Sequence, residues 1–317
     1  MQTRGFCATV TPSDMSAAGQ LHDDGLGNEV HRLLPTGSCF PFYPGEGFVV
    51  YSAYMGEHYV GTSGFSYKDW VGHFYPHDLK KDDFLHYYST RFGFVELNFT
   101  YYRQPKAQML EKMQRKVHEN FLFTVKAHQS ITHEREAGWQ TAVKEFSQGI
   151  QPLIESGQCG GVLLQFPYSF HYTPVNRLYL ADSTAALQEN LADTALLVEF
   201  RNREWENPKV FDEMKSRGLG LIITDHPDLK NLPQTSNMVT ATTAYIRFHG
   251  RNRENWWSGD NVSRYDYLYS RAELDERLPD IISMKDSSTR LFVAFNNHHK
   301  GQAAQNALLF TELMENI

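Results

Sequence analysis

A chain of 317 residues carrying a formal charge of −7 at pH 7 has room for one α/β barrel or two ordinary domains. Its charge argues against a surface that attracts nucleic acid or anionic lipid as a whole. Apolar, charged and aromatic fractions of 41%, 21% and 14% exclude a disordered chain. Three cysteines, Cys7, Cys39 and Cys159, form no CxxC pair, which excludes a disulfide framework and a cysteine-built structural zinc site. With no apolar run near ~20 residues and no signal-peptide order, the expectation is a cytoplasmic protein without a membrane span.

Residues 1–54 mix Gly, Pro, Ser and Asp with isolated apolar residues and sustain no period, so they are expected to form an irregular or disordered extension. Met55 stands just before the first convincing strand, which makes it a candidate natural start. From Tyr59 onward, short apolar or β-branched runs alternate with helix-length amphipathic stretches, the pattern of parallel βα units. The spacing predicts strands over 59–64, 94–100, 121–128, 161–166, 196–202, 219–225, 244–250 and 291–297. Helices are predicted over 82–92, 106–119, 139–156, 174–191, 208–217, 271–285 and 302–315. Pro174 and Pro208 suit first helical turns, and Gly157 and Gly218 stand where helix C-termini favour a left-handed residue. The sixth connection, 227–243, is polar and interrupted by proline, and only a short or irregular helix is expected there. Eight such units predict one (β/α)₈ barrel over 55–317. A doubly wound sheet is disfavoured, because Gly61-Thr62-Ser63-Gly64 is not the glycine-rich phosphate turn such a sheet carries after its first strand.

In a parallel barrel, alternate strand residues point inward, and those at the C-terminal ends form the floor of the site. On that parity the floor comprises Glu96 and Asn98, Lys126 and His128, Gln165, Glu199 and Arg201, Asp225, and Arg247 and His249. The last strand ends in Asn296, Asn297 and His298, whose facing the pattern leaves open. Burying so much charge costs several kcal/mol per unpaired ion, so the groups either neutralise one another or perform chemistry. Mutual pairing would join Glu96 to Lys126, and Glu199 to Arg201 or Arg247.

Three chemistries suit this set. In the first, Arg201 and Arg247 hold a carboxylate or phosphate while Glu96, Glu199 or His249 moves a proton. In the second, a divalent metal sits between Glu199, Asp225 and His249, with Glu96 as a further ligand, although no HxH or HExxH spacing marks it. The third is a Schiff base at Lys126. Beyond the seventh strand, Gly250-Arg251-Asn252-Arg253 is a candidate anion cradle and Trp256-Trp257 a stacking or plugging pair. Arg264 and the tyrosines that follow it continue this rim.

The strings Gly61-Thr62-Ser63-Gly64-Phe65-Ser66-Tyr67, Val95-Glu96-Leu97-Asn98, Val125-Lys126-Ala127-His128, Gln165-Phe166-Pro167, Val198-Glu199-Phe200-Arg201-Asn202, Arg247-Phe248-His249-Gly250-Arg251-Asn252 and Asn296-Asn297-His298 occur in this order. Together they resemble the YecE-like family, domain of unknown function 72, and the resemblance spans 59–317. It implies a TIM-type barrel and no established activity; at fold level, sugar isomerases and epimerases and the endonuclease IV class are broadly similar. The leading expectation is an enzyme of isomerase-like, epimerase-like or hydrolase-like chemistry acting on a small anionic, phosphorylated or sugar-like compound. A metal-dependent phosphodiesterase on nucleic acid and a non-catalytic ligand-binding barrel are the alternatives.

Overall fold

A computed structural model describes residues 56–258 and 260–316 of the chain; the expected extension over 1–54 lies outside them. The described chain begins with β1 (Glu57–Ser63), followed by helix α1 (Phe84–Ser89) and β2 (Phe94–Leu97). The chain then forms a short α2 (Phe99–Tyr102), α3 (Ala107–Gln114), β3 (Leu122–Lys126), α4 (Trp139–Glu155) and β4 (Cys159–Gln165). Next come α5 (Pro174–Asn190), β5 (Leu196–Glu199), α6 (Pro208–Ser216), β6 (Gly220–Asp225) and β7 (Thr243–Phe248). The short α7 (Asn261–Arg264), α8 (Arg271–Asp286), β8 (Arg290–Phe295) and α9 (Gln302–Glu315) complete it. All neighbouring strands pair in parallel, and β8 returns to β1 to close the barrel. None of the helices among the described residues is long and apolar enough to cross a membrane.

Local sequence accounts for the helix ends. Asn207 accepts a hydrogen bond from the Val210 amide ahead of Pro208, and Ser270 with Glu273 forms a reciprocal capping box on α8. Gly157 and Gly218 adopt φ of 74° and 65°, the left-handed turn anticipated for helix ends. Three expectations are corrected. The second and fifth strands stop at Leu97 and Glu199, because Asn98 already takes helical backbone angles at the start of α2 and the Asn202 side chain caps a 3₁₀ turn over Arg203–Trp205. The 227–243 connection contains turns and bends but no helix, as its proline-interrupted polar text leaves no apolar stripe to bury.

Two apolar layers surround the sheet. Outside it, helices pack on strand residues such as Val95, Val125, Val162, Val198 and Ile246. Inside, Phe94, Leu122, Leu163, Leu197, Ile222 and Phe292 fill the lower barrel. Gly61 has no room for a side chain, since a Cβ there would lie 2.4 Å from the Phe94 carbonyl oxygen. The apolar filling ends one residue pair higher, at the level of Glu96, Lys126, Gln165, Glu199 and Arg247, where the barrel interior becomes ionic.

Candidate active site

Arg247 organises this ionic layer. Its Nε and Nη2 donate side-on to Glu96 at 3.0 and 2.6 Å, while Nη1 donates to Glu199 Oε2 at 2.5 Å. Tyr245, two residues earlier on the same face of β7, donates to Glu96 Oε2 at 2.9 Å. The other Glu199 oxygen contacts Arg201 Nε and, at 3.4 Å, His249 Nε2. Burial would push the Glu199 carboxyl up, but Arg201, Arg247 and His249 outweigh it and hold it well below the usual range. Two carboxylates and two guanidiniums therefore balance in charge, with both glutamates fully buried.

His249 belongs to this layer as a neutral ring. Burial and then Arg201 depress its pKa well below the ordinary value. Asn296 Nδ2 donates to Nδ1 at 3.0 Å, leaving the ring proton on Nε2 toward Glu199.

Lys126 stands apart. Glu96, the partner expected for it, is taken by Arg247. The lysine Nζ instead donates to Gln165 Oε1 at 2.8 Å and sits 4.5 Å above the Tyr101 ring. The Gln165 amide is oriented by its own donation to the Phe166 carbonyl at 3.1 Å. No ion pair among the described residues includes this amine, and burial followed by the Arg247 charge pushes its pKa down to about 7, against the pull of Glu199 and Glu96.

Above the layer opens a cavity of about 450 Å³, within the usual range for small-molecule sites. Its walls include Asn98, Lys126, Gln165, Arg201, Arg247 and Asn296 from the strand ends. The loops contribute Tyr67, His133, Arg264, Tyr265 and His298. His298 stacks on Tyr67 with the rings 3° from parallel. Trp256 and Trp257 diverge: the first is 3% exposed and packs beneath the rim, the second is 53% exposed at its edge. Asn98 Oδ1 and Arg264 Nε are buried at this cavity without a hydrogen-bond partner among the described residues. Burial raises the Tyr265 phenol, but Arg201 and Arg247 outweigh it and the net shift is downward.

The remaining predicted residues lie elsewhere. Asp225 does not follow the inward parity assigned to it. Register pairs Ile222 with Tyr245 and Thr224 with Arg247, so these face the interior and Asp225 faces the helices. There it accepts two hydrogen bonds from Arg251, at 2.9 and 2.7 Å, and one from Tyr269 at 2.7 Å. Arg277 Nε approaches it at 3.4 Å. Arg251 is thereby engaged away from the cavity, and Asp225 cannot join Glu199 and His249 around an ion. Among the described residues no three His, Cys, Asp or Glu side chains group to hold a metal. Asn252 and Asn297 brace the rim loop, donating to the Ser263 and Tyr267 carbonyls. His128 pairs through Nδ1 with Ser130 at 2.8 Å, in the entry to a π-helical turn that carries His133. Asp225→Asn should therefore destabilise the fold by about 2–4 kcal/mol while leaving ligand affinity at the cavity within about two-fold. Thermal melts alongside ligand titration check it, and lost affinity with an unchanged melt would return Asp225 to the site.

Tyr67, His133, Arg264, Tyr265 and His298 are cavity residues that the strand pattern did not select. None of them lies within a strand whose period signals direction, with His133 in the π-helical turn and Arg264 at the end of α7; the density of aromatic and basic residues around 264–269 pointed to Arg264 and Tyr265, and His298 was reached as a strand-end residue whose facing the pattern left open.

A family model described as protein of unknown function DUF72 matches residues 59–316. The chain is 29% identical over 273 residues to the UPF0759 protein YunF of Bacillus subtilis, which covers 81% of this chain and 94% of that protein. A solved DUF72 family protein of Thermotoga maritima is similar at 39% identity and a TM-score of 0.74, covering 82% of this chain and 99% of its own. Another, of Enterococcus faecalis, is similar at 27% identity and a TM-score of 0.71, covering 81% and 95%.

Proposed function

From the premise that this chain belongs to the DUF72 family, whose description assigns no reaction, we propose an enzyme that performs acid–base chemistry on a small anionic, phosphorylated or sugar-like compound. The observation carrying this reading is the Lys126 amine, which has no carboxylate partner among the described residues and opens on a cavity that Arg201 and Arg264 also line. An anionic group satisfies the guanidinium donors facing the cavity, including the unpartnered Arg264 Nε. A sugar-like body fits against the aromatic walls, and one of its hydroxyls can donate to the orphan Asn98 Oδ1.

The division of labour shifts accordingly. Glu96 and Glu199 have no exposed surface in the cavity; they hold Arg247 and Arg201 in place and set the local field. His249 is likewise enclosed. Proton movement falls to Lys126, which at a pKa of about 7 exchanges protons readily near neutral pH. Tyr265, whose phenol the Arg201 and Arg247 charges ease toward ionisation against burial, lies on the same cavity.

Thermal-shift titration tests the anion. Inorganic phosphate and hexose phosphates are expected to raise Tm with concentration, and neutral hexoses are not. Arg264→Ala should weaken phosphate by about ten-fold or more, the worth of one charge-assisted contact. Equal shifts from neutral and phosphorylated sugars, or an Arg264→Ala protein with unaltered affinity, would sink the reading.

A further inference from the structure

The most unusual group at the cavity is the Lys126 side chain, and its surroundings are arranged for more than proton transfer. An ammonium kept for electrostatic binding is ordinarily held against a carboxylate, and two lie in the layer directly below. Both are consumed by Arg247 and Arg201. The amine is given a neutral amide oxygen instead, from a glutamine fixed by its own bond to Phe166. An amide oxygen accepts an N–H and leaves a nitrogen lone pair unused. The Tyr101 face packs against the amine at 4.5 Å and confines it, while the cavity leaves it one open approach. This is the environment of an amine nucleophile.

We infer that Lys126 is a covalent centre, forming an imine with the carbonyl carbon of a phosphorylated aldehyde or ketone held in this cavity. The inference rests on the anion reading of the same site and narrows its substrate class from anionic compounds to anionic carbonyl compounds. In the forward step the Nζ lone pair forms the C–N bond as the carbonyl π bond breaks, and a proton passes from that nitrogen to the oxygen to give a neutral carbinolamine. That hydroxyl then leaves as water, with one further proton, as the nitrogen lone pair forms the C=N bond. Amine, carbonyl and one proton thus give the protonated imine and water, with no change of oxidation state. Tyr265 faces the same cavity and is the side chain suited to carry these protons. The protonated imine that results keeps a positive charge where the ammonium stood, so the balance of the layer beneath is undisturbed. With a pKa of about 7, roughly half of the Lys126 amines are neutral at pH 7, against about one in a thousand for an ordinary lysine. The accompanying loss of intrinsic nucleophilicity offsets part of this advantage.

The experiment uses the full chain at pH 7 with dihydroxyacetone phosphate, glycolaldehyde phosphate and pyruvate as separate probes. Sodium cyanoborohydride reduces any imine to a stable secondary amine, and peptide mass spectrometry locates the adduct. The expected result is labelling of Lys126 about ten-fold or more above any other lysine with at least one phosphorylated probe, loss of that adduct in Lys126→Arg, and slowing by inorganic phosphate. Labelling spread evenly over surface lysines, or no enrichment at Lys126 with any of the three probes, overturns the imine. If phosphate still raises Tm in that case, the anion reading survives alone. Enriched labelling that phosphate leaves unslowed keeps the imine and overturns the anion.

Discussion

Arg247→Ala is expected to lower stability by about 3–5 kcal/mol, the usual cost of stranding a buried charge, and in a barrel of this size to lower Tm by about 10 °C or more. The reason lies less in the bonds lost than in what remains. Glu96 would keep only Tyr245, and Glu199 only Arg201 and His249, inside an apolar barrel where neither carboxylate reaches water. A carboxyl left in that position raises its pKa above the unfolded value. Stability from such a group is present below the unfolded pKa and lost as pH rises through the folded one. The deficit of Arg247→Ala relative to wild type should accordingly shrink toward pH 4 and widen toward pH 7. Adding Glu96→Gln should recover part of the loss at neutral pH, because an amide carries no charge to strand. Urea unfolding at three pH values decides the matter. A variant that unfolds like wild type at pH 7, or a deficit that grows on acidification, would show that Arg247 is not the counter-ion of this layer.

This layer was readable before folding because a parallel strand imposes a period of two on its text. Glu96 and Asn98 fall on one face of their strand, and Arg247 and His249 on one face of theirs, so naming an inward residue names its neighbours. Asp225 escaped because Leu221-Ile222-Ile223 is apolar on both faces; a strand buried on both sides carries no phase in its sequence. Only register, Thr224 beside Arg247, assigns it to the helix side. Pair identity was equally hidden. Glu96 was matched to Lys126 and Arg247 offered to Glu199, and the pairing of Glu96 with Arg247 follows from barrel closure, which sets which strands face one another across the interior. Tyr245 was not among the residues selected, although it shares the parity of Arg247. The loop contributions to the cavity depend on where long connections fold back, and nothing periodic records that. Fold class survived these gaps because it required only the alternation of strand and helix, which tolerates strand ends misplaced by a few residues.

Lys126→Met should make the protein more stable and disable the site, and the pH at which stability is gained identifies the cause. The side chain of methionine matches most of the lysine stem and fills the same space beneath Tyr101 without an amine. In wild type the folded pKa of about 7 lies below the unfolded value near ~10.4, so between these limits the unfolded chain binds the extra proton. Stability of wild type therefore rises with pH across that window, and below pH 7 the full cost of burying the ammonium is present. The nitrogen faces the cavity and solvent screens part of that cost, leaving on the order of 2–3 kcal/mol. Lys126→Met should thus exceed wild type by that amount at pH 6, by progressively less above pH 7, and by nothing near pH 10.5. The amine itself can be followed in wild type by competitive acetylation, read at the peptide level across the same range. Its reactivity is expected to reach half-maximum near pH 7, about three units below the value for a lysine in a model peptide. A midpoint near 10, or a variant no more stable at pH 6 than at pH 10, would make Lys126 an ordinary ammonium and remove both the proton carrier and the nucleophile from the site. A group that weakens the fold at neutral pH, beside two carboxylates committed elsewhere, is what a catalytic amine requires and a structural lysine does not.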